Sequence, residues 1–388
     1  MKIALIILHA DPSRGGAERY TLDLAAALAA RRHEISLIAS TFAPSVPAAP
    51  FRPIHLPTRD PTRLGQYNKF LDALDLHLEK ERYEIVHAML PVRVCDVYHP
   101  HAGLAVEALA TGHEKYDGLR RPLSKIANHL NPKRRRFAAV ERRLLKSPNA
   151  PPNVPLVICL SEYVKRTVRA HYPNLPDKNL PTLFNAVDLN KFDPAARPTA
   201  GHEIRRRFNL SADRIVALMI AQDYQRKGLA EAIQALSGQD PRLSLLVVGK
   251  QNHAKYSALA RANKVADRVI FAGPTTDPYA FYKAADFFVL PTRHDPCSLV
   301  VLEALAMGLP VISTIFNGAC EIMTDGVHGY ILPDPRNIPS LQSAYHHLTD
   351  ESLRQKMSQA CLELRPRLSY VQHLHALLNI YQAAHYRA

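Results

Sequence analysis

The chain has 388 residues, with 49 Lys and Arg against 35 Asp and Glu, a formal net charge of +14 and 47% hydrophobic residues. That length and composition suit two globular domains of ordinary size and exclude a disordered or fibrous chain. Five scattered cysteines without a CxxC pair exclude a disulfide scaffold and suggest a reducing compartment.

The opening MKIALIILHADP holds too short an apolar run for a signal-peptide core with a cleavage site. It reads instead as a buried first strand over 2–8. Gly15 and Gly16 follow, where the backbone can turn tightly, and then an Ala/Leu-rich helix over 17–31. A strand at 35–39, a helix at 64–80 and a strand at 85–89 come next. A strand over 156–160 runs into Ser161, which is placed to cap a helix over 162–171. A polar, Pro-containing stretch at 193–201 precedes a second series: strand 214–220, helix 229–236, and strands 243–248, 269–272 and 287–290.

Residues 295–318 read DPCSLVVLEALAMGLPVISTIFNG. Leu302, Leu305 and Ala306 recur at helical spacing, so a helix over 299–307 is predicted, capped by Ser298 and stopped by Gly308. A strand over 311–314 and an Asn-Gly turn follow. An amphipathic helix over 370–386 ends the chain and is predicted to pack back on the first domain. No run approaches the length of a membrane span. The alternation predicts an α/β chain of two doubly wound, Rossmann-like parallel sheets facing a cleft. Residues 1–184 would form the first domain, with 370–388 returning to it, and 185–369 the second.

Asp295 falls just before a predicted helix N-terminus, where open backbone amides attract a diphosphate. Glu303, inside that helix, can accept hydrogen bonds from ribose hydroxyls. An acidic pair around a phosphate site suggests a sugar-nucleotide enzyme. The positive charge is concentrated: Arg120, Arg121, Lys125, Lys133, Arg134, Arg135, Arg136, Arg142, Arg143 and Lys146 stand against Glu141 alone. Leu123, Ile126, Leu130, Phe137, Val140 and Leu144 interleave with them, a pattern that favours an anionic membrane surface over DNA. An acidic substrate would suit the same charge. No helix-turn-helix, zinc finger or aromatic stacking cluster points to nucleic acid. No Asp-x-Asp pair and no His/Cys cluster at zinc spacing points to a metal.

A set of short motifs recurs in order along the chain: Gly15-Gly16-Ala17-Glu18-Arg19, Ile85-Val86-His87-Ala88, Leu160-Ser161-Glu162-Tyr163-Val164-Lys165 and Asn185-Ala186-Val187-Asp188 before Lys191-Phe192. Arg226-Lys227-Gly228, Ala285-Asp286-Phe287-Phe288-Val289-Leu290-Pro291 and the acidic pair with its Gly-Leu-Pro complete it. Together they resemble the retaining GT-B glycosyltransferases of the family-4 group over nearly the whole length. Asp96-Val97-Tyr98, Ala139-Val140-Glu141-Arg142 and Arg226-Lys227-Gly228 look most like the lipopolysaccharide core glucosyltransferase I subgroup, which moves glucose from UDP-glucose to an inner-core heptose.

The resemblance implies a role for each matching residue. Gly15 and Gly16 would lie against the donor diphosphate and the acceptor. Arg226 and Lys227 would neutralise the β-phosphate of the leaving UDP. The family usually carries an Arg five residues before that Lys, where this chain has Gln222. Either Arg226 takes over, or Gln222 binds phosphate as a neutral donor. Asp295 would lie near the donor sugar and Glu303 on the ribose. The backbone amides of Cys297, Ser298, Leu299 and Val300 would hold sugar hydroxyls or phosphate. A His after the strand near 98 would touch the donor sugar; His101 is preferred over His99. Such enzymes are thought to react on one face of the sugar, with the leaving phosphate helping to deprotonate the acceptor. The expectation is therefore a metal-independent hexosyltransferase without a cofactor, using a UDP-sugar and a lipid-linked saccharide. It would be cytoplasmic and peripheral on the inner membrane face through 120–146. A same-fold transferase with a soluble acceptor, and a non-catalytic basic binding protein, are the alternatives.

Overall fold

The structure, a computed structural model, describes residues 1–44, 46, 50–111, 126–146 and 154–387. The chain divides into two compact units, Met1–Leu183 with Leu374–Ala388, and Phe184–His373. The strands in chain order are β1 (Lys2–Ile6), β2 (His9–Ala10), β3 (Glu34–Ala39), β4 (Thr41–Phe42), β5 (Arg52–His55), β6 (Ile85–Ala88), β7 (Val97–Tyr98) and β8 (Leu156–Val157) in unit 1. Unit 2 holds β9 (Ile215–Ile220), β10 (Leu243–Val248), β11 (Val269–Gly273), β12 (Phe287–Val289), β13 (Val311–Thr314) and β14 (Gly329–Leu332).

Unit 1 is a sheet in the order β5-β3-β1-β6-β7-β8, every pair parallel. Ile3, Ala4, Leu5 and Ile6 are all fully buried, as a strand covered on both faces requires, and this is why the segment reads as a continuous apolar run. The strand expected over 2–8 ends at Ile6. The chain re-forms strand only at β2, which pairs with β4 apart from the main sheet. The strand expected over 156–160 is two residues long, and Cys159 makes an isolated bridge to Thr182. The helices are α1 (Gly16–Ala30), α2 (Arg63–Lys80), α3 (Ala105–Thr111), α4 (Pro132–Lys146) and α5 (Glu162–His171). Ser161 caps α5 as expected, its hydroxyl accepting from the Val164 amide at 3.2 Å.

Unit 2 repeats the plan with the order β11-β10-β9-β12-β13-β14, again all parallel. Its helices are α6 (Ala200–Arg207), α7 (Leu229–Ala235), α8 (Ala254–Ala262), α9 (Pro278–Ala284), α10 (Leu299–Ala306), α11 (Ile338–His347) and α12 (Glu351–Glu363). The stretch read as a polar connection at 193–201 leads straight into α6, whose Arg205 donates to the Ala284 carbonyl at 2.9 Å and pairs with Asp286 at 2.8 Å. The last helix, α13 (Tyr370–His385), belongs to unit 1 from Leu374 onward, where the Tyr381 hydroxyl shares a 2.6 Å hydrogen bond with Nδ1 of His87. All five cysteines are buried and unbridged. Among the described residues no helix is long and apolar enough to cross a membrane.

Candidate active site

In unit 2 the strand order reverses between β9 and β12, because the chain builds outward to β11 and then returns to the other side of β9. Crevices at such reversals, beyond the carboxyl ends of the strands, are where open α/β sheets bind ligands. The loops leaving β9, β12 and β13 carry Arg226 and Lys227, Asp295, and Asn317 respectively.

These loops are joined by backbone and side-chain bonds. The Arg226 carbonyl accepts from the Arg293 amide at 2.9 Å and the Thr292 hydroxyl at 3.2 Å. The Arg226 guanidinium donates back to the His294 carbonyl at 2.8 Å. Asp295 forms a parallel bridge with Asn317, its amide donating to Phe316 at 2.8 Å and its carbonyl accepting from Gly318 at 3.0 Å. Gly228 is fixed by geometry: its φ is +77°, and a Cβ there would lie 2.2 Å from the Pro291 carbonyl oxygen. The Arg-Lys-Gly order is thus what allows this loop to lie on the 291–295 segment.

Lys227 and Asp295 are each 8% exposed and form an ion pair between Nζ and Oδ2. Burial pushes the Asp295 carboxyl up, but Lys227 and Arg226 outweigh it and hold it below the usual carboxylate range. Burial pulls the Lys227 ammonium down, against the opposing field of Asp295. Asp295 is ionised and Lys227 is its counter-ion. A second buried pair, Glu231 with Arg293, lies next to it along the chain.

Glu303 is 9% exposed on α10, and its Oε2 accepts from the Tyr282 hydroxyl at 2.8 Å. Ser298 occupies the cap position of α10, but its side chain makes no capping bond, contrary to the sequence expectation. The Asn317 side-chain oxygen takes the Ser298 amide at 3.2 Å and the Ala319 amide at 3.1 Å. The Ser298 amide is therefore engaged within the protein. The Leu299 and Val300 positions at the helix start are half-buried. Cys297 is buried, and its carbonyl accepts from the Asn185 side chain at 2.8 Å. Gln222 is exposed at the end of β9.

The remaining candidates lie in unit 1. Gly15 has φ 171° and ψ −175°, an extended conformation open to any residue, so the tight turn expected there is not what selects it. Gly16 is the first residue of α1 and exposed. His99 is fully buried, its ring stacked 5.3 Å from His87 and edge-on to Tyr20 at 5.4 Å. His101 keeps 7% of its surface and packs on Tyr20 at 4.5 Å. Of the two, only His101 has surface that a ligand could touch.

The basic stretch resolves into two kinds of residue; Arg120, Arg121, Leu123 and Lys125 lie outside the described residues. Arg134 bonds the Asn128 side chain and Arg136 donates to Asn68 at 2.8 Å, both half-buried. Arg135, Arg142, Arg143 and Lys146 are exposed. Glu141 is fully buried and accepts from the hydroxyls of Tyr98 at 2.6 Å and Tyr172 at 3.1 Å, and from the Ala105 and Val106 amides at 2.7 and 3.0 Å. It caps α3 from a distance. Among the described residues no group of three or more His, Cys, Asp or Glu is placed to hold a metal ion.

Two parallel α/β sheets with a cationic loop and acidic pair at the reversal of the second define a GT-B sugar-transferase framework. Two family models divide the chain between them: Glycosyltransferase Family 4 matches 14–191, and Glycosyl transferases group 1 matches 202–362. The chain belongs to the family-4 GT-B glycosyltransferases and is a transferase enzyme. It is similar to the lipopolysaccharide glucosyltransferase WaaG of Escherichia coli, 23% identical over 354 residues that cover 90% of this chain and 88% of that one. The crystal structure of WaaG superposes with a TM-score of 0.79 at 22% identity, covering 96% of this chain and 98% of that one. The Anabaena protein HepE, solved with UDP and glucose, superposes with a TM-score of 0.70 at 17% identity, covering 99% and 100%.

Proposed function

We propose that this enzyme moves glucose, with retention of anomeric configuration, from UDP-glucose to a lipid-linked saccharide such as the inner-core heptose of lipopolysaccharide. The observation that carries the reading is the meeting of Arg226, Lys227 and Asp295 on the loops at the β9/β12 reversal of unit 2, with Glu303 buried on the helix that follows Asp295. WaaG's name supports the glucose donor and the lipopolysaccharide acceptor, and the HepE complex supports UDP.

In this reading Glu303, steadied by Tyr282, accepts hydrogen bonds from the ribose hydroxyls. Lys227 exchanges its contact with Asp295 for the β-phosphate, and Arg226 joins it. Breaking the bond from C1 to the phosphate oxygen builds negative charge on UDP, which these cations and the α10 dipole stabilise. Asp295, released from Lys227, accepts a hydroxyl of the donor sugar. The acceptor hydroxyl attacks C1 on the face the phosphate leaves, and its proton passes to that phosphate oxygen, so no enzymatic base and no metal are assigned. His101 is assigned to the donor sugar. Arg135, Arg142, Arg143 and Lys146 are assigned to anionic lipid on the cytoplasmic membrane face, each worth about 1 kcal/mol near such a surface.

The test is transfer from UDP-glucose to inner-core lipopolysaccharide in vesicles and to its deacylated saccharide, with the product anomer read by NMR. An α-linked product supports the reading. A β-linked product would overturn retention, and efficient transfer to a soluble saccharide with no gain from vesicles would favour a soluble acceptor.

A further inference from the structure

Two segments of unit 2 meet at the candidate site: 226–231, which runs from the loop after β9 into α7, and 291–295, which follows β12. They are cross-linked at several points. The Arg226 carbonyl accepts from the Arg293 amide at 2.9 Å, and the Arg226 guanidinium donates to the His294 carbonyl at 2.8 Å. Lys227 pairs with Asp295. Glu231, in the first turn of α7, accepts through Oε1 from Nη2 of Arg293, and both side chains are 9% exposed. Gly228 lies between the two ion pairs, where a Cβ would meet the Pro291 carbonyl, so the segments approach closely.

The two ion pairs have opposite polarity. On 226–231 the cation Lys227 comes first and the anion Glu231 second; on 291–295 the cation is Arg293 and the anion Asp295. Sliding one segment along the other would bring Lys227 toward Arg293 or Glu231 toward Asp295, like charges in a place with little water to screen them. The pairs therefore fix the register of the segments as well as their contact. They differ in what a donor would do to them. In the reaction proposed above, Lys227 leaves Asp295 for the β-phosphate, so one cross-link opens when the nucleotide arrives. Glu231 and Arg293 are given no ligand in that reaction and stay joined.

We propose that Glu231 and Arg293 are a positioning pair for sugar transfer, a lasting clamp that holds 226–231 on 291–295 while the neighbouring Lys227–Asp295 pair opens around the donor. Neither residue touches a reacting atom; both act through Lys227 and Asp295. The assignment rests on the glycosyltransferase reading of those two residues. With the clamp removed, Lys227 and Asp295 drift from the places where charge develops, and transition-state stabilisation suffers more than nucleotide binding, which Glu303 supports from α10.

The test uses the full chain, with UDP-glucose turnover, UDP calorimetry and thermal unfolding. Glu231→Leu and Arg293→Met each strand a buried charge and should lower the melting temperature, whereas the double variant E231L/R293M should recover most of it. In all three, kcat measured well below the transition should fall at least about tenfold, as a misplaced catalytic group causes. KM for UDP-glucose and the Kd of UDP should stay within about threefold. Arg293→Lys, which keeps a cation for Glu231, should retain more of kcat than Arg293→Met. Recovery of kcat along with the melting temperature in E231L/R293M would make the pair structural only and overturn the proposal. A loss carried by UDP affinity, with kcat unchanged, would overturn it as well. A wild type that turns over another nucleotide sugar and not UDP-glucose would overturn the donor assignment instead; the same split between kcat and KM is then expected with that sugar, and its absence would overturn the clamp.

Discussion

Lys227 and Asp295 form a buried pair whose side chains are 10% and 11% exposed, so removing one partner strands a charge that water cannot reach. Breaking such a pair costs about 3–5 kcal/mol, whereas replacing both members with apolar residues of similar size is near neutral. At ~2–4 °C per kcal/mol for a unit of this size, Asp295→Asn or Lys227→Met should lower the melting temperature of unit 2 by about 6–20 °C. The double variant Lys227→Met/Asp295→Leu should recover most of that loss. Transfer activity behaves differently: all three variants should lose it, because the reaction needs the charges and folding does not. The assay is thermal unfolding followed by circular dichroism, beside UDP-sugar turnover below the transition. Single variants that cost less than about 1 kcal/mol would mean that the pair is solvent-screened, and the reasoning from burial would fail.

The other expectations concern separate sites. Glu303→Ala should weaken UDP binding about tenfold or more by calorimetry, as loss of hydrogen bonds to a charged acceptor would, while Tyr282→Phe should cost much less. Gly228→Ala should destabilise unit 2 and reduce UDP affinity together, since left-handed φ alone costs about 1–2 kcal/mol and the Pro291 carbonyl blocks the methyl; unchanged UDP affinity would detach this turn from the site. Replacing Arg135, Arg142 and Lys146 with Glu should abolish co-sedimentation with anionic vesicles and leave UDP binding intact. His373, bonded to the Phe184 carbonyl at 2.8 Å, is lowered to about 4 by burial. Its folded value lies below its unfolded one, so unfolding takes up a proton. Stability is full above about pH 6.5 and falls by up to about 3 kcal/mol as pH drops toward 4. His373→Gln should flatten that part of the pH–stability curve measured by urea denaturation.

The alternation of strands and helices was legible because parallel strands buried on both faces become unbroken apolar runs such as Ile3 to Ile6 and Leu245 to Val248. The edge strand β5 was not, since its four residues leave no periodicity to detect, and the strand read over 156–160 is cut to two residues in β8. Helix α6 was hidden by the polar, Pro-containing stretch before it and by three consecutive arginines, of which Arg205 turns inward. At the candidate site, the residues that carry charge stood out in the sequence, but those that hold them did not. Asn317 read as a turn residue, yet its side chain holds the amide of Ser298 at the start of α10. Tyr282 sits in a short helix with an apolar face, and nothing local marks its hydroxyl as the partner of Glu303. The pairing of Glu231 with Arg293 depends on the fold bringing the β9 and β12 loops together. The basic stretch looked uniform, and only packing separates Arg134 and Arg136 from the exposed Arg135, Arg142, Arg143 and Lys146.

The central claim is best tested by a panel of UDP-glucose, UDP-N-acetylglucosamine, UDP-galactose, GDP-mannose and ADP-heptose, read by thermal shift and slow hydrolysis with chelator present. UDP-glucose should stabilise the protein and be hydrolysed, and both effects should be lost in Glu303→Ala. A response confined to a GDP- or ADP-sugar, or one that requires added metal, would contradict it.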